Sequence, residues 1–199
     1  MKAMIHKGAE AIANICCNRG WVQKDLQSWC IYTLEKWLGI LLFISSILLW
    51  TILSGLYLET ISFLIPFYFL RRRAGGCHAD SSHTCFIISI SLIIIVSSIV
   101  GAWLLAFPIW ILVIADVIVV AIALFLTPAY PPQVHFTEME KDANSRKKNS
   151  LLMLYFSLQL CSVFFFGNRV LAYSLCGIAF CVVTIIIQKQ KGRTKNEET

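Results

Sequence analysis

Apolar positions along this chain come in long runs separated by short polar breaks, and the runs set the elements. Residues 1–36 are mixed. Met4, Ile5, Ile12, Ile15 and Cys16 recur at helical spacing, and after Asn18-Arg19-Gly20 so do Val22, Leu26, Trp29 and Thr33. That period predicts two short amphipathic helices. They suit either the membrane surface, with Trp21, Trp29 and Trp37 at headgroup level, or a place packed under a helical bundle. Residues 37–70 then hold one charge, Glu59. A single straight helix of that length would measure about 51 Å, against a hydrocarbon core of roughly 30 Å. The run therefore predicts a hairpin with a full arm (37–57) and a short arm (60–70), Glu59 at the turn and Pro66 kinking the short arm.

The pattern repeats twice more. Residues 86–126 carry one charge, Asp116, and Pro108 divides them into two spans. Residues 127–150 read as a polar loop, opened by Thr127-Pro128-Ala129-Tyr130-Pro131-Pro132. Residues 151–166 and 170–187 form a third hairpin around Gly167-Asn168-Arg169, and 188–199 are a basic, then acidic tail. The expected fold class is an all-α integral membrane protein. It has an N-terminal amphipathic region (1–36), a membrane domain (37–187) of about six transmembrane or membrane-embedded helices in three hairpins, and the tail.

Composition excludes the soluble alternative. Of the 199 residues, 58% are hydrophobic, where soluble domains run nearer 45–50%, and a small soluble fold could not hide that surface. The net charge of +6 matters less than where the charges fall. With both termini inside, segments 1–36, 71–85, 127–150 and 188–199 face the cytoplasm and hold all Lys and Arg except Arg169, as cytoplasmic loops should. No uninterrupted apolar run with a cleavage site occurs in the first 35 residues, so insertion is expected to begin at the first span. The eight cysteines show no disulfide spacing and fit a reducing, cytoplasm-facing setting. No nucleic-acid partner is expected.

Chemistry concentrates in 71–85, Arg71-Arg72-Arg73-Ala74-Gly75-Gly76-Cys77-His78-Ala79-Asp80-Ser81-Ser82-His83-Thr84-Cys85. Asp80, Ser81 or Ser82 can cap the third span, which puts Cys85 near the first turn. There the positive helix end and neighbouring arginines favour a thiolate. A thiolate nucleophile needs a base, and His78 is the favoured one. On one straight helix the two would be about 10.5 Å apart along the axis, so the segment before Cys85 must fold back, which Gly75 and Gly76 allow. His83, at i−2, points to another face. Three other readings stand beside this one. Cys77, His78, His83 and Cys85 could be four metal ligands, though their order departs from the usual paired spacings. Cys77 could be the nucleophile. The whole stretch could be an ordinary loop of a transporter-like protein.

The run Arg71-Arg72 through Gly76-x-His78-Ala79 and Ser81-Ser82-x-x-Cys85 resembles the accessory gene regulator protein B (AgrB) family, bacterial membrane endopeptidases that process quorum-sensing propeptides. The chain length, the amphipathic start, the six apolar segments and a Pro-containing turn before Arg146-Lys147-Lys148 are similar too. Tyr32-x-x-Glu35 is a fainter likeness. The resemblance implies a cysteine endopeptidase without metal or cofactor. Cys85 attacks a propeptide bond, His78 serves as base, a thioester forms, and an internal Cys or Ser captures the acyl group as a thiolactone or lactone. It places Arg71, Arg72, Gly76 and Ser82 on shared positions that shape the site. Asp80 stands where proline is frequent, and Cys77 and His83 are additions, so a role for Asp80 in orienting His78 is an open expectation. The implied substrate is an amphipathic propeptide with an acidic tail, drawn to residues 71–73, Lys147 and Lys148 and confined to the bilayer surface. A homodimer accords with the resemblance.

Outside this stretch, Asp116 is an intramembrane carboxylate, hence either a functional group or one hydrogen-bonded to a neighbouring span. Glu59 reads as an interfacial turn residue, and the lysines of 127–150 serve topology or substrate attraction. The rival class, a small transporter or exporter subunit, should place polar pairs or broken helices near the midplane. Reporter fusions test the topology. Those at residues 80, 140 and 199 are expected to read cytoplasmic and one at 168 external; a cytoplasmic signal at 168 would remove the third hairpin.

Overall fold

A computed structural model describes residues 2–77, 82–130 and 136–197. Helices α1 (Lys2–Asn18), α2 (Gln27–Ser54), α3 (Tyr57–Ala74), α4 (Ser82–Ile95), α5 (Gly101–Leu104), α6 (Ile109–Phe125), α7 (Glu138–Phe166) and α8 (Asn168–Glu197) make up nearly all of it. A π-helical turn, Val96–Val100, joins α4 to α5. The described residues contain no strand, only an isolated parallel bridge between Gly75 and Ala129. Among the described residues, four helices are long and apolar enough to cross a membrane: Lys24–Ser54, Thr84–Leu104, Glu138–Phe166 and Asn168–Lys191. α6 is apolar but shorter, and α3 ends in three arginines. The all-α membrane class holds.

Several boundaries differ from the sequence pattern, each for a local reason. The first apolar run breaks at Gly55, whose φ of +71° favours glycine. Glu59 therefore lies inside the first turn of α3 and not at the bend. Pro66 sits within α3 without ending it. No break occurs at 36–37, because α2 runs from the amphipathic segment straight into the apolar one. The expected polar loop 127–150 is helical from Glu138, started by a capping box in which Thr137 and Glu140 satisfy each other's backbone N–H. Pro108 caps α6 as its spacing suggested.

The chain divides into two compact units. One comprises α1, α2 and residues 82–90 of α4. Here α1 folds back along the start of α2, joined by His6 to Glu35 and by Gln27 Nε2 donating to Asn14 Oδ1 at 2.6 Å. His6 pairs far along α2 and Asn14 near its start, so the two helices are antiparallel. The apolar residues Leu41, Ile44, Leu48 and Ile52 stay exposed, as suits a helix solvated by lipid.

The other unit comprises α3, α5 to α8 and the π turn. Its centre is α8, where Leu171, Ala172, Ile178 and Ile185 are fully enclosed. Glu59 meets Arg169 (Nη1 to Oε1, 3.6 Å), Phe63 and Pro66 meet Gly177, and Cys77 meets Thr184. The partners advance together along both helices, so α3 and α8 run the same way, as the second and sixth segments of three hairpins would. A Cβ on Gly177 would lie 2.5 Å from the Phe63 carbonyl oxygen, so only glycine permits this approach. At the π turn, Tyr173 donates to the Ser97 carbonyl at 3.2 Å, and its ring occupies the space a side chain at Gly101 would need.

Gly177→Val should therefore destabilise the fold by about 1–3 kcal/mol through overpacking. Gly39→Ala, which meets nothing within 4 Å, should shift stability by no more than about 1 kcal/mol. Unfolding midpoints in detergent micelles read both; equal midpoints would mean that α3 and α8 do not touch at Gly177.

Candidate active site

α3 ends with Arg71, Arg72 and Arg73 in its last turn, where cations complement the helix dipole. The chain then leaves through two glycines with positive φ, Gly75 (+74°) and Gly76 (+118°). Both are required by their neighbours. A Cβ on Gly75 would lie 2.3 Å from the Ala129 carbonyl oxygen, and one on Gly76 would lie 2.7 Å from Thr184 Oγ1.

Backbone hydrogen bonds hold the segment on two sides. Ala129 N–H donates to the Ala74 carbonyl (2.9 Å) and Gly76 N–H to the Ala129 carbonyl (2.8 Å). Cys77 N–H donates to the Thr184 carbonyl on α8 at 3.0 Å. Arg71 Nη2 reaches forward to the Cys77 carbonyl at 2.5 Å, while its guanidinium lies over the Phe67 ring. Tyr130 donates its hydroxyl to the Arg73 carbonyl at 2.5 Å. Burial pushes the Tyr130 phenol pKa up, against weaker opposing pulls from Asn144 and Arg73, so the hydroxyl keeps its proton at neutral pH. Both backbone polar groups of Cys77 are thus satisfied one residue before His78. His78 and Asp80 themselves lie outside the described residues.

Cys85 is the fourth residue of α4, within its first turn, and is a half-buried free thiol. Ser82 opens the same helix. The structure thus gives Cys85 the helix-start setting that the sequence suggested, where backbone N–H groups favour an anion. Arg71 and Gly76 belong to one tethered segment, and Arg72 is exposed beside them. The two lysines expected to draw an acidic tail part company. Lys147 is exposed, but Lys148 is only 2% exposed and donates to the carbonyls of Ala123 and Leu126. The ammonium of Lys148 serves the end of α6 rather than the surface. The described residues hold no group of three His, Cys, Asp or Glu side chains placed for a metal; the four-ligand reading needs His78, outside them.

Nothing in the local pattern singled out Ala129, Tyr130 and Thr184 as tether partners, though the breaker run at 127–132 marked a turn. Glu59, expected as a turn residue, is buried and faces Arg169. Asp116 is fully buried in α6. Its polar neighbour is the Gln159 amide of α7, without the geometry of a full hydrogen bond. Gln159 donates to Ser174 of α8 at 2.8 Å.

The family model for accessory gene regulator B matches residues 9–188. The chain belongs to the accessory gene regulator B family. The match runs from within α1 into α8, so it covers every element that builds the tethered segment and the helix of Cys85. Membership gives the chain a role in the agr quorum-sensing system, and its apolar helices place it in a membrane. No curated protein and no solved structure shows significant similarity to the chain.

Amide exchange tests the tether directly. The Gly76 and Cys77 amides of the wild type should be protected. Gly76→Ala, which strains a positive φ and crowds Thr184, should cost about 1–3 kcal/mol locally and speed their exchange. Fast exchange in the wild type would show that the segment is not held.

Proposed function

We propose that this AgrB-family chain is a membrane-embedded cysteine endopeptidase that removes the C-terminal tail of a quorum-sensing propeptide. The observation that carries the reading is Cys85 in the first turn of a helix, seven residues after a histidine in the sequence, in a chain of this family. His78 takes the Cys85 proton, and the thiolate attacks the scissile carbonyl carbon. The C–N bond breaks, the tail's amine leaves with the proton returned by His78, and the propeptide remains as a thioester on Cys85. An internal thiol or hydroxyl of the peptide then attacks the thioester, loses its proton to the base, closes a thiolactone or lactone ring and restores Cys85. Arg71 and Gly76 act by shaping the loop, and Ser82 and Asp80 flank it in sequence.

The substrate in this reading is a short amphipathic peptide with an acidic tail, met at the bilayer surface by the exposed charges of Arg72 and Lys147. Both termini and the site face the cytoplasm, and the chain works as a homodimer. One observation favours the transporter alternative: the interior pair Asp116 and Gln159, with a π turn at Val96–Val100 in the same unit. Both residues are closed off from solvent, and Cys85 has no part in such a role.

Membranes carrying the wild type, Cys85→Ala, His78→Ala or Cys77→Ala, each given a cognate propeptide, separate the readings. Mass spectrometry is expected to find tail release and an acyl-enzyme in the wild type and Cys77→Ala, and neither in the other two. Cleavage by Cys85→Ala would end the assignment and return the transporter and metal readings.

A further inference from the structure

We propose that Lys148 is a positioning residue for the backbone segment 73–77, which precedes His78 in the sequence, acting through residues 126–130; the proposal rests on the peptidase reading above. Lysine is rarely enclosed, because its ammonium loses hydration that only close partners can replace. Lys148 is 2% exposed and, among the described residues, has no carboxylate partner. Its partners are carbonyls. Nζ donates to Ala123 at 2.6 Å and also to Leu126, both at the C-terminal end of α6. Those carbonyls have no amide from a further helical turn to receive, and a cation there also complements the helix dipole. Lys148 is thus a side-chain cap, supplied by α7 to its antiparallel neighbour.

What this cap holds leads straight to the tethered segment. Leu126 is followed by Thr127, whose hydroxyl accepts from Lys189 Nζ at 2.7 Å. Two residues later, Ala129 exchanges backbone hydrogen bonds with Ala74 and Gly76, and Tyr130 donates to Arg73. Gly76 is two residues before His78. Three residues span at most about 10 Å between Leu126 and Ala129, so a shift of the α6 end is passed on rather than absorbed by slack. Every group in this series belongs to the unit built on α3, α6, α7 and α8. The adjacent lysines therefore divide their work: Lys147 is exposed to a substrate, whereas Lys148 fixes the turn that holds residues 73–76.

Steady-state cleavage of the propeptide, normalised to Cys85 titrated with a thiol probe, separates this from charge attraction. Lys148→Met keeps the stem and removes the donors. It should lower kcat about 10- to 100-fold, the size expected of a small displacement near the chemistry, with KM nearly unchanged. Lys147→Met should raise KM, more so at low salt, and leave kcat alone. Lys148→Arg, which restores donors, should recover part of kcat. Tyr130→Phe should also lower kcat, and combining it with Lys148→Met should cost less than the product of the two, since both act through one segment. Should Lys148→Met not accumulate, Tyr130→Phe read against Lys147→Met carries the same comparison. A raised KM with unchanged kcat in Lys148→Met, or independent effects in the double variant, overturns the proposal. If the wild type does not cleave, the peptidase reading has failed. The positioning claim is then decided by exchange at Gly76 and Cys77, which Lys148→Met should speed and which unchanged protection would refute.

Discussion

The parallel contact between α3 and α8 is the constraint on which the rest of the described membrane bundle depends. Gly177 lets the backbones approach until the Phe63 carbonyl sits where a side chain would begin. At one end of this contact the buried Glu59 carboxylate faces Arg169. At the other, Cys77 docks on the Thr184 carbonyl. In hydrocarbon, helices gain little by hiding apolar surface from one another, so close packing and interhelical hydrogen bonds must do the joining. α8 supplies both, and its inner face contacts α3, α6 and α7.

A polar loop at the end of such a bundle must satisfy its own backbone groups. In residues 74–77 the Gly76 amide and the Ala74 carbonyl pair with Ala129, the Cys77 amide pairs with Thr184 of α8, and Arg71 donates to the Cys77 carbonyl. The two glycines are what make this geometry possible, because each combines a positive φ with a neighbour too close for a Cβ. The described tethers end at Cys77, one residue before the histidine of the proposed dyad.

The interior polar groups follow one physical rule with different outcomes. Lys148 meets two carbonyls at a helix end, and Tyr173 meets the carbonyl of Ser97 at the π turn. Glu59 faces a guanidinium that is itself mostly exposed. Such a pair stabilises little by itself, yet deleting Arg169 would leave a buried carboxylate alone. Asp116 stands apart, enclosed beside an amide that bonds elsewhere.

The membrane class, the apolar segments, the break at Pro108 and the short stretch carrying His78 and Cys85 were all legible along the chain. These are written in local composition and spacing, since a bilayer demands long apolar helices and glycine and proline act on their own neighbourhood. The local pattern even placed Cys85 near a helix start, through the capping residues before it. It misjudged the bend near Glu59, because a turn follows backbone conformation and Gly55 outweighs a charge. It missed the helical start of α7, where the Thr137 and Glu140 box lay within a stretch read only as polar. Tertiary structure alone decided that Ala129, Tyr130 and Thr184 hold the segment before His78, and that Lys147 and Lys148 have different surroundings. Those facts rest on contacts between residues tens of positions apart, and two neighbouring lysines on a helix differ only in which face another helix covers.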